Sequence, residues 1–205
     1  MPRILLYLCI LVATAPVAGF AAVRAQTEDG RTVLLHDDGT WTFEVPEATP
    51  QTGGHGRDAG QDAMVSGLNA PYEFWYDQTI WSLKPENIDP LSEYEFVDSS
   101  TLVQAMTVAY PFPQGAGELK AKVLSTIQAT DPDALIIFEE SRVVNSRSVE
   151  CVHIKARVAD EPFIFYFYLH ASGDMAVQVA CFTAENVFYA LYDELTRFMN
   201  GFVAP

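Results

Sequence analysis

The sequence predicts an α+β domain: a largely antiparallel sheet with helices packed on it, in the order four strands, helix, four strands, helix. Three observations lead there. The β-type runs are joined by hairpin-length turns, which pair neighbouring strands antiparallel. Only two stretches of the main domain, 117–128 and 184–200, carry apolar residues at helical spacing. With 205 residues, 49% hydrophobic and 12% aromatic, the chain can bury a substantial core.

Taken in order, residues 1–25 read as a signal peptide. Arg3 precedes a long apolar run, and small residues stand at Val23 and Ala25, the two positions a signal peptidase reads. Cleavage is therefore expected before Gln26. The alternative is a retained N-terminal membrane anchor, because Ile4–Val23 is uncharged and long enough to span a bilayer. Pro16, Gly19 and several alanines dilute the second half of that run and favour cleavage. The expected address is periplasmic or secreted, with no membrane insertion after cleavage.

Residues 26–45 form a β-hairpin segment. Thr32–Leu35 and Thr40–Val45 are β-type runs around the turn His36-Asp37-Asp38-Gly39, where Gly39 can take positive φ. Trp41 and Phe43 share one face of their strand. Residues 46–69 are rich in Gly, Ser, Thr, Gln and Asp and read as a flexible linker.

The main domain covers 70–205. Its strands are expected at Tyr72–Tyr76, Ile80–Leu83, Glu93–Val97 and Leu102–Tyr110. A helix follows over Gly117–Gln128, with Leu119, Val123 and Ile127 on one face. Four more strands are expected at Leu135–Val144, Ser148–Val158, Phe163–His170 and Met175–Phe182. A last helix spans Ala184–Asn200, with Thr183 as N-cap, a stripe of Val187, Leu191, Leu195 and Phe198, and Gly201 as its stop. If Ala159–Pro162 is the turn, Val158 faces Phe163, and Val152, Ile154 and Ala156 face Leu169, Phe167 and Phe165. Carried through the next turn, Met175 faces His170 and Cys181 faces Ile164. Phe165 and Phe167 are the expected centre of the core.

Several short segments carry a resemblance: Tyr76-Asp77 with Trp81, Val144-Asn145, Val177-Gln178 with Phe182-Thr183, Asn186 with Phe188, and Met199-Asn200-Gly201. With the strand order they resemble uncharacterised exported bacterial proteins with a PsbP-like domain, the fold of the photosystem extrinsic subunit P and Mog families. The resemblance covers Tyr72–Val203. Separately, Asp37–Trp41 (DDGTW) is similar to a hairpin in other small exported bacterial proteins. The resemblance implies a binding or assembly factor rather than an enzyme and assigns no residue a chemical role.

Lys+Arg is 12 against Asp+Glu 27, a net charge of −15, so nucleic acid is excluded as a partner. No G-x-S-x-G elbow and no phosphate-binding glycine loop occur. His170, Ser172 and Asp174 read as hairpin chemistry. Glu139 and Glu140 are neighbours in a strand, so they point to opposite faces and make a poor acid–base pair. Asp37 and Asp38 are turn residues. Cys151 and Cys181 fall six residues apart along the strand direction in the register above, roughly 20 Å at ~3.3 Å per residue. A disulfide needs Cα atoms within ~7 Å, so free thiols are expected.

The same register gathers Cys151, His153, His170 and Met175, a thiolate, two imidazoles and a thioether, a ligand set suited to copper or zinc. Lys155 and Arg157 nearby disfavour a cation. A second candidate is an aromatic groove of Tyr166, Tyr168, Trp75 and Tyr76, residue types equally suited to a core under a helix. The leading functional expectation is a non-catalytic exported binding or assembly module of the bacterial cell envelope. Its partner would be a protein or envelope component, and no cofactor is expected. The alternatives are a periplasmic soft-metal handling protein, through the four residues above, and a small-molecule enzyme.

Overall fold

The computed structural model describes residues 55–110, 115–173 and 175–205, and before them the backbone of three short strands. The chain divides into two compact units, 1–44 and 45–205. The first holds β1 (Val23–Gln26), β2 (Thr32–Leu35) and β3 (Trp41–Phe43) as an antiparallel sheet in the order β1-β2-β3. The expected hairpin is thus joined by a strand that crosses the expected cleavage point. The turn at 36–39 lies outside the described residues.

The second unit contains β4 (Ala63–Ser66), β5 (Glu73–Tyr76), β6 (Trp81–Leu83), β7 (Tyr94–Asp98), β8 (Gln104–Tyr110) and helix α1 (Ala116–Gln128). Then come β9 (Leu135–Val144), β10 (Arg147–Val158), β11 (Glu161–Ser172), β12 (Met175–Ala184), helices α2 (Glu185–Ala190) and α3 (Tyr192–Met199), and β13 (Phe202–Val203). Seven strands form one antiparallel sheet in the order β6-β7-β8-β12-β11-β10-β9, and β13-β5-β4 form a smaller one. The α+β reading of the sequence holds. Helix α1 carries the chain from β8, inside the large sheet, to β9 at its edge.

Each face of the large sheet carries a core. On one, Leu119 and Val123 of α1 pack with Val152, Ile154, Phe167 and Leu169 of β10 and β11. On the other, Phe188 of α2, Phe198 of α3 and Phe74 and Phe202 of the small sheet pack with Trp81, Phe96, Tyr166 and Tyr168. Trp81 stacks on Phe198 with ring centroids 3.8 Å apart, and Phe74 meets Phe198 edge-on at 4.8 Å. Of the two phenylalanines expected at the centre, Phe167 is buried and Phe165 is half-buried.

Four expectations are corrected. First, the register shifts by two residues in both central hairpins. Val158 faces Glu161, Ile154 faces Phe165, Val152 faces Phe167, and Met175 faces Ser172. The turns are two residues long, not four. Ala159 and Asp160 take φ of 50° and 69°, the both-positive signature of a type I′ turn, and Gly173 takes 57°. A two-residue slip keeps each side chain on its face, so the apolar pattern does not forbid it.

Second, the linker at 46–69 is structured in its second half. His55 pairs with Val144 in a parallel bridge, Ala63–Ser66 is a strand, and Gln61 is buried. The segment is held by polar contacts that composition does not reveal. Gln61 Nε2 donates to the carbonyls of Trp75 (3.2 Å) and Arg197 (2.9 Å).

Third, the C-terminal helix is broken at Leu191, which leaves helical geometry at φ −112°. Fourth, Thr183 is not its cap. It lies within a longer β12, which runs to Ala184, and donates its hydroxyl to the Leu102 carbonyl at 2.8 Å, and Ala184 stands at the N-cap.

Gly201 ends α3 as expected, and for a reason of space. The Trp75 amide donates to the Gly201 carbonyl at 2.9 Å, and a Cβ on Gly201 would lie 1.8 Å from the Trp75 carbonyl oxygen. Gly201→Ala therefore has to push β5 from β13 and should cost about 1–3 kcal/mol, as overpacking does. Gly117, in the first turn of α1, has open space around it. Gly117→Ala should stabilise by roughly 0.5–1 kcal/mol through lost backbone freedom in the unfolded chain. Urea midpoints of the two variants should move in opposite directions.

Candidate functional site

The residues singled out in the sequence all fall on the α2/α3 side of the large sheet, and they do not gather. Cys151 Sγ lies 3.9 Å from His153 Nε2. His170 is two residues further along β11 than Tyr168, the partner of Cys151, and Met175 sits opposite Ser172 at the end of the hairpin. His170 donates from Nδ1 to the Ser148 carbonyl at 2.9 Å. Among the described residues no group of three or more His, Cys, Asp or Glu side chains converges as metal ligands would. The two-residue register shift is what spreads the set.

Cys151 and Cys181 are both free and buried. The argument for free thiols changes. Cys151 faces Tyr168 and Cys181 faces Tyr166, so they differ by two residues and two strand spacings. That is about 12 Å, still beyond disulfide reach. The aromatic groove is not formed either. Tyr166 and Tyr168 are fully buried, whereas Trp75 lies under Arg57 at 4.0 Å and Tyr76 packs edge-on against Phe96.

What occupies this face is a charge the sequence reading missed. Arg142, on β9, is buried, and its Nη1 donates to the hydroxyls of Tyr166 and Tyr168 at 2.9 Å each. Its Nε donates to Glu140 at 2.6 Å, and its Nη2 also pairs with Glu140. Tyr168 in turn donates to Asn200 Oδ1 at 2.9 Å, at the end of α3. A buried cation needs such partners, because an unpaired one costs several kcal/mol. The network ties the sheet edge to the C-terminal helices. Its available signal was parity: Arg142 shares the inward face of β9 with Phe138 and Val144.

The electrostatics of the cluster leave no reactive group. Burial pushes the Cys151 thiol up to about 12, against the opposing pull of Arg142. Burial, with Arg142 second, holds His153 down to about 3. Its ring is caged by Phe138 (stacked at 4.7 Å), Tyr166, Phe188 and Tyr192. Burial thus favours the neutral thiol and the neutral imidazole, the inert forms of both groups.

The accessible site is on the opposite face. A helix with its side chains is about 10–12 Å across, and strands lie about 4.8 Å apart, so one helix covers roughly two strands. Helix α1 rests on β10 and β11. The same face of β8 and β12 is left open beside it, as a cleft of about 220 Å³. Its floor includes Met106, Phe165 and Phe182, all half-buried, with the two phenyl rings stacked at 5.6 Å. Lys122 of α1 lies over the Tyr110 ring at 3.8 Å on one wall, and Asp89 and Leu91 form another.

That second wall is a loop fastened from below. Buried Glu95 accepts the amides of Ile88 (2.7 Å) and Asp89 (2.6 Å), the Ser92 hydroxyl and the Lys84 ammonium. Burial alone would raise the Glu95 pKa, but these donors outweigh it and hold it below the ordinary value. Asn87 Nδ2 donates to the carbonyls of Ser92 and Glu93, closing the loop on itself. The loop nevertheless thrusts Ile88 and Leu91 into solvent, 79% and 64% exposed.

No protein-family model matches the chain, and comparison with curated proteins gives no match. Among solved structures the chain is similar to cyanobacterial PsbP (CyanoP) from Synechocystis, with a TM-score of 0.52 at 14% identity over 69% of this chain and 92% of that one. The fold is PsbP-like. Weaker likenesses are a protein of unknown function from Pseudomonas aeruginosa (TM-score 0.44, 7% identity, 70% and 96% covered) and LpqN from Mycobacterium tuberculosis (0.35, 10%, 69% and 76%), the latter described as involved in cell envelope biogenesis. At these identities the likeness extends to the fold and to no residue's role.

His153 gives the PsbP-like domain a pH signature. Unfolded, it titrates near 6.5; folded, it resists protonation down to about 3. Between those values the unfolded chain binds a proton that the folded one does not. Stability should therefore fall as pH drops from 6.5 towards 3, by up to about 1.4 kcal/mol per pH unit from this residue. His153→Phe, which suits the aromatic cage, should flatten the loss between pH 6.5 and 5. Urea titrations of both proteins at pH 7 and 5 measure it, and parallel losses would show that His153 is not the group responsible.

Proposed function

We propose that this chain is a non-catalytic exported module that binds a protein or other component of the bacterial cell envelope. The binding face is the α1 side of the large sheet. The observation that carries this reading is the Glu95-fastened loop, which holds Ile88 and Leu91 out in water beside an open apolar floor. Exposed aliphatic side chains on a rigid loop lower the entropy cost of binding, and contiguous exposed apolar surface marks interaction sites. The acidic net charge keeps such a surface soluble.

Export is supported by Arg3 followed by the apolar run of the N-terminus. The resemblance to exported bacterial proteins with a PsbP-like domain and a DDGTW hairpin favours the same address. A non-enzymatic role is supported by the burial of Cys151 and His153, the thiol–imidazole contact of the α2/α3 side. Soft-metal handling is not carried forward, since its four ligands stand in different rows of the sheet.

Site-specific photo-crosslinking in cells tests the reading. A crosslinker replacing Leu91 should yield discrete adducts with envelope components, reduced several-fold by Phe165→Glu on the cleft floor. The same crosslinker replacing Val143, 52% exposed on the edge strand β9, should yield none. Equal labelling at both positions, or none at Leu91, would overturn the assignment of the face.

A further inference from the structure

We propose that the cleft beside α1 is a socket for one aromatic side chain of a partner polypeptide, filled best by a tryptophan whose basic neighbour in that partner meets Asp89. The proposal rests on the binding face assigned above and names what that face takes. Size comes first. The cleft encloses about 220 Å³. Pockets for cofactors and drug-sized ligands run from about 300 to 1,000 Å³, so this one is too small for either. A cavity of about 150 Å³ holds benzene, so there is room here for a bicyclic indole and little more. A single large side chain seated in a pocket is how protein partners commonly anchor on one another.

The floor is graded from polar to apolar. Val108 lies opposite Gln178, Met106 opposite Ala180, and Phe182 opposite Phe165. Tyr110 continues the Val108 face of β8 beyond Gln178. At the far end the Phe165 and Phe182 rings, tilted by 24°, and the Met106 thioether form the apolar floor. Rings and thioethers both attract an aromatic guest beyond the area it buries. Nearer the polar end, Gln178 carries an amide oxygen. The Thr126 hydroxyl donates to the Lys122 carbonyl at 2.9 Å, and its oxygen can still accept. An indole N–H needs such an acceptor once it is buried, whereas an acyl chain would cover these polar groups and pair with none of them.

The rim adds a charge. Asp89 Oδ1 accepts the Leu91 amide at 2.8 Å, which fixes the carboxylate on the loop wall. Burial raises the Tyr110 pKa, and the Asp89 charge raises it further, so the field of Asp89 reaches the floor of the cleft. A cation beside the aromatic anchor is complementary to that carboxylate and to the chain's net charge of −15.

The test titrates the full-length protein, isotope-labelled in its methionine methyl groups, with N-acetyl-tryptophan amide and its phenylalanine and leucine analogues. Ring currents should move the Met106 methyl resonance in a saturable way, while Met175 and Met199, buried in the opposite core, stay fixed. The phenylalanine analogue should bind several-fold more weakly, and the leucine analogue should not displace tryptophan. N-acetyl-tryptophyl-lysine amide should bind several-fold more tightly than the tryptophyl-glutamate peptide. Asp89→Asn keeps an oxygen for the Leu91 amide and should abolish that preference. Thr126→Trp, at an exposed position of α1, should plug the cleft and remove saturable binding without disturbing the floor. No saturable Met106 shift, displacement by leucine, no preference for lysine, or an undiminished shift in Thr126→Trp would overturn the socket. The binding face would still stand if the Leu91 crosslinks formed, and their loss as well would overturn both.

Discussion

The hairpins that join β9 to β12 close on two residues each, and everything on either face of the large sheet takes its position from them. Asn145–Ser146 and Ala159–Asp160 adopt positive φ at both central positions, and Gly173 does so in the third turn. A type I′ turn matches the twist of the strands it joins and allows a single register. That register sets Cys151 opposite Tyr168 and Tyr166 opposite Cys181. It also brings the two tyrosine hydroxyls within reach of one guanidinium, so that Arg142 can be buried at all. Two residues more in either turn would carry the rows past one another and take the two tyrosine hydroxyls away from that charge, leaving it Glu140 of its own strand alone.

The sheet is also asymmetric in how its faces are covered. One face carries two helices and a second sheet, and there Arg142 is paired while burial holds Cys151 and His153 neutral. The other carries one helix and leaves part of its apolar floor open. Glu95 is a buried carboxylate whose work is to hold a loop in shape at the rim of the open part. Hydrogen bonds from backbone amides to a carboxylate are among the stronger ones a protein makes, which suits a single anion to that task.

Much of this architecture was legible in the sequence. β9 was read with its observed bounds, and β5 to β8, β10 to β12 and α1 within a few residues, because apolar period and turn residues are local signals; β13, two residues long, was not read. The placement of Glu139 and Glu140 on opposite faces also followed from alternation: Glu139 pairs with Lys120 of α1, and Glu140 with Arg142 on the other side. Rows were harder to read than faces. A slip of two residues conserves the apolar pattern, so nothing in composition distinguished a four-residue turn from a two-residue one, and the supposed metal ligands depended on that distinction. Gln61 and Arg142 were missed for a different reason. Each is polar by type and buried by virtue of partners more than ten residues away, which no local window contains.

The last residues of the chain have a consequence in time. β9 to β12 are consecutive hairpins, the kind of contact that forms within microseconds. The ring stack on the opposite side is different. Trp81 and Phe74, early in the domain, are covered by Phe198 and Phe202 near its end, and β13 pairs back onto β5. Such closures span most of the domain and come late. A chain delivered N-terminus first, from a ribosome or through a membrane channel, has a folded-looking sheet before it has a closed core. It becomes a finished protein only when Phe202–Ala204 are free to turn back, and until then its aromatic face is available to a chaperone or to another unfinished copy.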